Sequence, residues 1–130
     1  MTFQTILILI LIGFFAGALS GFVGVGGGVI IVPALVFFMG LSQHTAQGTS
    51  LFVLSLPVVV LAVMNYWKSG HVNWHYGLII ATTFVIGGFV GSKLSLKLSS
   101  GMVKLIFGII MAYISFKLVV SGFNSVRNDA

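Results

Sequence analysis

Gly24-Val25-Gly26-Gly27-Gly28-Val29-Ile30-Ile31-Val32-Pro33 stands between two apolar runs. A chain this apolar has no evident reason to place four glycines in five residues inside its hydrophobic part. In a bilayer, irregular backbone persists only where it is buried in protein or lines a cavity. Glycines leave backbone N–H groups uncovered, and the start of a helix aims such groups at an anion. Three glycines in a row are poor material for a helix interior, and a turn alone would need fewer. The stretch is therefore the first candidate for a binding site. The competing reading is a tight hairpin turn with no ligand.

Composition sets the environment. Hydrophobic residues make up 58% of the chain and charged residues 5%, too few charges to cover the surface of a soluble domain of 130 residues. The mean hydropathy of +1.21 agrees with a bilayer setting. The net charge of +5 does not indicate nucleic acid, because Lys68, Lys93, Lys97, Lys104, Lys117 and Arg127 are spread singly near the ends of apolar runs. Cations meet lipid headgroups at such places. No cysteine is present, so neither a disulfide frame nor a thiolate metal site is expected. Three histidines without acidic neighbours make a poor metal site, and no cofactor is implied. The first five residues carry no Lys or Arg, which argues against a signal peptide, although Ala16-Gly17-Ala18 resembles a cleavage site.

Five apolar segments follow one another, at residues 3–23, 29–39, 51–66, 77–96 and 102–120. A helical span needs about 20 residues, with a range of ~17–25. The second segment is short, and the glycine run joins it to the first with too few residues for an external loop. The two are expected to form a glycine-tipped helix hairpin, full or re-entrant, with Pro33 early in its second helix. The expected fold is an all-α polytopic membrane protein. It comprises one transmembrane domain, residues 1–122, and a polar tail, 123–130, that frays.

Counting crossings places the loop at 40–48 and the loop at 99–101 on one side, and the loop at 67–76 on the other. Lys93, Lys97 and Lys104 then oppose Lys68, Lys117 and Arg127. Orientation normally follows a Lys/Arg excess in cytoplasmic loops, and the tally shows none. An antiparallel, dual-topology homodimer is one expectation, and a parallel homodimer oriented by the first helix is the other.

Gly13, Gly17 and Gly21 repeat at four-residue spacing, as do Gly87 and Gly91. Such spacing lets helix backbones approach closely in lipid, so these five are read as packing positions. Gln47-Gly48-Thr49-Ser50 precedes the third apolar segment. Thr49 or Ser50 can cap a helix there and leave its first-turn N–H groups facing an anion. Two helix starts would then converge on one ligand, as broken helices do in transporters. Alone, the motif reads as an ordinary N-cap.

These residues resemble a known family. Gly24-Val25-Gly26-Gly27-Gly28, Val32-Pro33-Ala34-Leu35 and Ala46-Gln47-Gly48-Thr49-Ser50 look like the signature of the TauE/SafE family of sulfite and organosulfonate exporters. The likeness continues through Gly70-His71-Val72-Asn73-Trp74, then Gly87, Gly88 and Gly91, then Lys104-Leu105-Ile106-Phe107-Gly108, nearly the whole chain. Family members are usually about twice this length, with the pattern in both halves. The resemblance thus implies a half-size unit, one half of an inverted-repeat transporter, that pairs to rebuild the whole. It implies export of sulfite, sulfoacetate or similar oxyanions across the cell membrane. Asn73 departs from the Asp that often precedes Trp in the family, which puts an ionic role there in doubt.

Asp129 is the only acidic residue. No carboxylate is placed to relay protons or bind sodium in the membrane, work that intramembrane acids commonly do. Passage driven by the substrate gradient and the membrane potential is the simpler mechanism. An anion leaving a negative interior gains about 2.3 kcal/mol per charge per 100 mV. Among the remaining polar residues, His44 can touch the anion or sense pH, and Gln47 and Gln43 can donate to its oxygens. His71 and His75 sit with Trp67, Trp74 and Tyr76 in an interfacial belt. The expected substrate-binding set is Gly24, Gly26, Gly27, Gly28, Val29, Pro33, His44, Gln47, Gly48, Thr49 and Ser50. A passive small-anion channel and a non-transporting membrane scaffold are the rival functions. An enzyme is not expected, because no acid, base and nucleophile constellation is present.

Overall fold

A computed structural model describes residues 1–24 and 26–130; Val25 of the glycine stretch lies outside the described residues. The architecture is all-helical, with helices α1 Phe3–Val23, α2 Gly28–Met39, α3 Gln43–Ser55, α4 Val60–Lys68, α5 Trp74–Lys97 and α6 Ser100–Asp129. Four of the helix starts use side-chain caps. Thr2, Ser42, Asn73 and Ser99 accept from the backbone N–H of Thr5, Thr45, Tyr76 and Met102, each at 3.2 Å. Asn73 therefore does the capping work that an Asp would do, since either side chain supplies the acceptor oxygen.

Helices α1, α5 and α6 are each long and apolar enough to cross a bilayer. Helix α2, at 12 residues, reaches only about 18 Å at ~1.5 Å per residue, short of the ~30 Å hydrocarbon core. The hairpin is thus asymmetric, one full arm and one short arm. Its tip explains the glycines more fully than the sequence reading did. Gly24, Gly26 and Gly27 have φ of 79°, 79° and 76°, a region costly for residues with a Cβ. The turn itself uses three of the four glycines, so their number is not by itself a sign of a ligand.

The third apolar segment is not one helix. Helices α3 and α4 meet at an angle of 54° across Leu56–Val59 and pass together as one broken span. Pro57 is the cause. It has no N–H to continue the ladder, and it forces Leu56 into extended backbone, φ −81° and ψ 152°. Helix α3 also starts earlier than expected, at Gln43 behind Ser42, so Thr49 and Ser50 lie inside the helix and cap nothing. Pro33 is likewise further in than expected. It is the sixth residue of α2, where it removes the donor to the Val29 carbonyl. The terminal segment is helical, with α6 running unbroken from Ser100 to Asp129.

Packing within the chain is concentrated on α2. Helix α1 lies against α2, α2 against α3, and α3 against α6. Ala16, Ile31, Val32, Leu35 and Ala46 form the buried core. Helices α4 and α5 contain no buried residue, and their exposed apolar side chains suit lipid, which is as apolar as they are. Of the five glycines read as packing positions, only Gly21 has a neighbour, the Ala62 Cβ at 3.8 Å. A methyl at Gly13, Gly17, Gly87 or Gly91 would meet no atom within 4 Å. Their close approaches, if used, are to something other than the described residues of this chain. Lys93, Lys104 and Lys117 extend over Phe89, Phe37 and Tyr113, with Nζ 4.6–5.9 Å from the ring centres, the snorkelling arrangement of interfacial cations.

Candidate substrate site

The start of α2, helix α3 and the C-terminal half of α5, with Phe107 of α6, line an open cavity of about 440 Å³. Gly28 contributes from α2, and His44, Gln47, Gly48 and Ser50 from α3. Gly88, Gly91, Ser92 and Ser95 contribute from α5. The rest of the wall is apolar: Val32, Leu51, Leu54, Leu96 and Phe107. No charged side chain lines it among the described residues. A volume of this order holds a small anion with room to spare, and the mixture of apolar walls and a few polar groups is typical of ligand pockets.

The helix geometry produces this set. On α3, His44, Gln47, Gly48, Leu51 and Leu54 recur at three- and four-residue steps and form one face. On α5, Gly88, Gly91, Ser92 and Ser95 do the same. A side chain at Gly48, Gly88 or Gly91 would meet nothing within 4 Å, so these glycines keep volume open. Gly28 is different: a Cβ there would come within 3.3 Å of the Ser50 Oγ and 3.7 Å of the Leu54 Cδ1. Its missing side chain lets α2 approach α3 at the cavity wall.

Hydrogen bonds tie the wall together. His44 Nε2 donates to the Ser95 carbonyl at 3.0 Å, so that nitrogen carries the proton and the bond holds α3 to α5. Ser95 Oγ donates to Gln47 Oε1 at 3.3 Å, which leaves the Gln47 Nε2 donors out of this bond. Ser50 is buried beside Gly28. Gln43, one turn before Gln47, is 4% exposed, and its Nε2 has no hydrogen-bond partner among the described residues. A buried amide donor left so costs ~1–3 kcal/mol. The amides of Gly28 and Val29, in the first turn of α2, have no intrahelical acceptor by position.

The chain's relatives agree with this architecture. A family model described as Sulfite exporter TauE/SafE matches residues 2–125. The chain belongs to the TauE/SafE sulfite exporter family. Among its relatives, a probable membrane transporter protein of Xylella fastidiosa is 30% identical over 120 residues, covering 92% of this chain and 46% of its own length. Another, YunE of Bacillus subtilis, is 32% identical over 113 residues, 87% of this chain and 41% of that protein. The archaeal MJ0441 of Methanocaldococcus jannaschii is 30% identical over 110 residues, 80% and 41% respectively. The chain spans about half the length of the curated relatives it matches. No solved structure matches it.

Within this TauE/SafE unit, the structure divides the residues that the sequence singled out. Gly28, His44, Gln47, Gly48 and Ser50 share the cavity. Thr49 does not; it is exposed, with its hydroxyl donating back to the Thr45 carbonyl at 2.7 Å. Val29 and Pro33 are half-buried and outside the wall. Gly26 and Gly27 face a second cavity of about 290 Å³, behind Leu54. Gly24 lies beyond that, with Tyr66 and Asn73. Sequence reasoning missed Gly88, Ser92 and Ser95. Their spacing carried the signal, but the small residues of α5 read as a packing stripe.

Proposed function

We propose that this chain is one half of a membrane transporter that exports small sulfur oxyanions, such as sulfite, thiosulfate or sulfoacetate, across the cell membrane. The observation that carries the reading is the convergence of the Gly28 helix start with Gln47, Ser50 and Ser95 on one cavity. The Gly28 amide, Gln47 Nε2 and Ser50 Oγ are neutral donors in a largely apolar wall, and Ser95, whose hydroxyl donates to Gln47 Oε1, orients Gln47. A hydrogen bond to a charged group contributes ~1.5–3 kcal/mol. Three of them gross ~4.5–9 kcal/mol, from which the cost of desolvating and immobilising the anion is subtracted. What remains is enough to select the anion and weak enough to release it. With no carboxylate in the membrane-spanning part, the substrate gradient and the potential drive passage.

In this proposal the unit works as a homodimer. Helix α5 has no buried residue, which leaves a face for a second copy. The balanced Lys/Arg tally favours an antiparallel pair, the inverted-repeat plan common in transporters. The cysteine-free chain allows a direct test of the site. Ser95→Cys should react with maleimide at a rate that methanesulfonate or sulfoacetate lowers saturably. Unchanged rates with both anions would contradict this placement of the substrate.

A further inference from the structure

The cavity of about 440 Å³ is one of three that follow one another through the molecule. The second, of about 290 Å³, lies between α1, the glycine turn and the α3–α4 break. The third, of about 510 Å³, is lined by residues including Val23, Tyr66, His71 and Asn73. The second and third share Ser20, Gly21, Gly26, Val59 and Ala62 and are continuous in their walls. The first and second share a single described residue, Leu54.

The outer two cavities face opposite ends of the helices. The first reaches His44, at the start of α3, and Ser95, near the end of α5. The third reaches Asn73, the N-cap of α5. At ~1.5 Å per residue, Asn73 and Ser95 lie about 33 Å apart along that helix, close to the thickness of a bilayer's hydrocarbon core, ~30 Å. Both interruptions of regular backbone fall at the junction. Gly26 and Gly27 of the hairpin turn and Val58 and Val59 of the α3–α4 break line the same second cavity. Backbone of this kind is tolerated at membrane depth where it lines a cavity, and the break gives α3, which carries Leu54, a point about which to move.

We propose that these three cavities form the translocation route and that Leu54 is its gate. This rests on the reading of the first cavity as the substrate site and extends it. The Leu54 side chain lies against the Gly28 backbone, with Cδ1 3.7 Å from where a Cβ of Gly28 would be. Leu54 keeps 38% of its surface accessible, and in the proposal it narrows the passage with an apolar constriction that an anion and its water wet poorly. Movement of α3 about the Leu56–Val59 break withdraws the constriction and joins the substrate cavity to the opposite vestibule.

The test uses labelled sulfite flux and chloride leak in proteoliposomes, together with sulfoacetate protection of Ser95→Cys. Leu54→Ala should raise the chloride leak about tenfold by removing the apolar constriction. Leu54→Trp should lower sulfite flux about tenfold while protection persists, because Leu54 is the described wall residue that the first cavity shares with the second, and a larger ring there blocks the junction. Protection also shows that the Trp variant is folded. Full flux in Leu54→Trp, or a parental chloride leak in Leu54→Ala, overturns the gate. If sulfoacetate protects Ser95→Cys in no background, the site reading beneath the proposal fails instead.

Discussion

Gly27 and Gly28 are neighbours, yet alanine should harm them in different ways. Gly27 has φ of 76°, and its would-be Cβ has only ordinary contacts, the nearest being Ile31 Cδ1 at 3.6 Å. Alanine there is a backbone problem, worth about 1–2 kcal/mol of strain. Gly28 is helical, so alanine is conformationally favourable there by some fraction of ~1 kcal/mol. Its methyl would sit 3.3 Å from the Ser50 Oγ, so the serine must shift by a few tenths of an ångström. If Ser50 loses one good hydrogen bond to the anion, affinity falls by ~1.5–3 kcal/mol, roughly ten- to 150-fold. The assay pairs thermal unfolding in detergent with the concentration dependence of sulfite flux. Gly27→Ala should melt below the parent. Gly28→Ala should melt at or above it while requiring roughly ten- to 150-fold more sulfite for half-maximal flux, by the same arithmetic. A Gly28→Ala variant with parental half-saturation would refute the claim that the α2–α3 contact shapes the site.

Three further outcomes follow from the same geometry. Ser50→Ala should weaken sulfite binding, whereas Thr49→Val, at an exposed residue bonded to its own helix, should leave flux unchanged; equal effects on flux would count against the cavity. Pro57→Ala restores a backbone donor at the α3–α4 break and should raise helical content by circular dichroism while slowing flux. Normal flux in the straightened variant would show that the break is not used. Tyr66→Phe deletes the hydroxyl that donates to the Gly21 carbonyl at 2.8 Å and should lower stability by about 0.6 kcal/mol, the mean for membrane hydrogen bonds. The melting midpoint of the purified protein reads this directly.

Much of the architecture could be read from hydropathy alone. The long apolar runs behind α1, α5 and α6 leave few alternatives in a chain with seven charged side chains. The hairpin was legible because Gly24–Gly28 interrupts an apolar region too briefly for a loop. The α3–α4 break was not drawn from the apolar run at 51–66, although Pro57 marks it, because hydropathy averages over a proline that stereochemistry does not forgive. The start of α3 was obscured by competition among Ser42, Thr45, Thr49 and Ser50, all acceptable caps. Which one serves depends on the chain path from Gly40, with φ of 68°, into Ser42.

The site was half legible for a related reason. Gln47, Gly48 and Ser50 attract notice as polar or small residues before an apolar run. Gly88, Gly91 and Ser92 sit inside one, and small residues on a membrane helix serve packing as often as they leave space. Sequence spacing places them on one face of α5 but does not say whether that face meets a helix or a void. Within the described residues of this chain, a methyl at Gly88 or Gly91 would touch nothing, and both glycines line the cavity.

Sulfite flux in proteoliposomes containing only this chain, with the membrane potential clamped, tests the central claim most directly. The account predicts saturable flux that speeds up when the sulfite-loaded side is made negative, and that shifts to higher half-saturation in Gln47→Leu and Ser50→Ala. Flux that ignores both substitutions, or no flux of sulfite, thiosulfate or sulfoacetate at any potential, would contradict it.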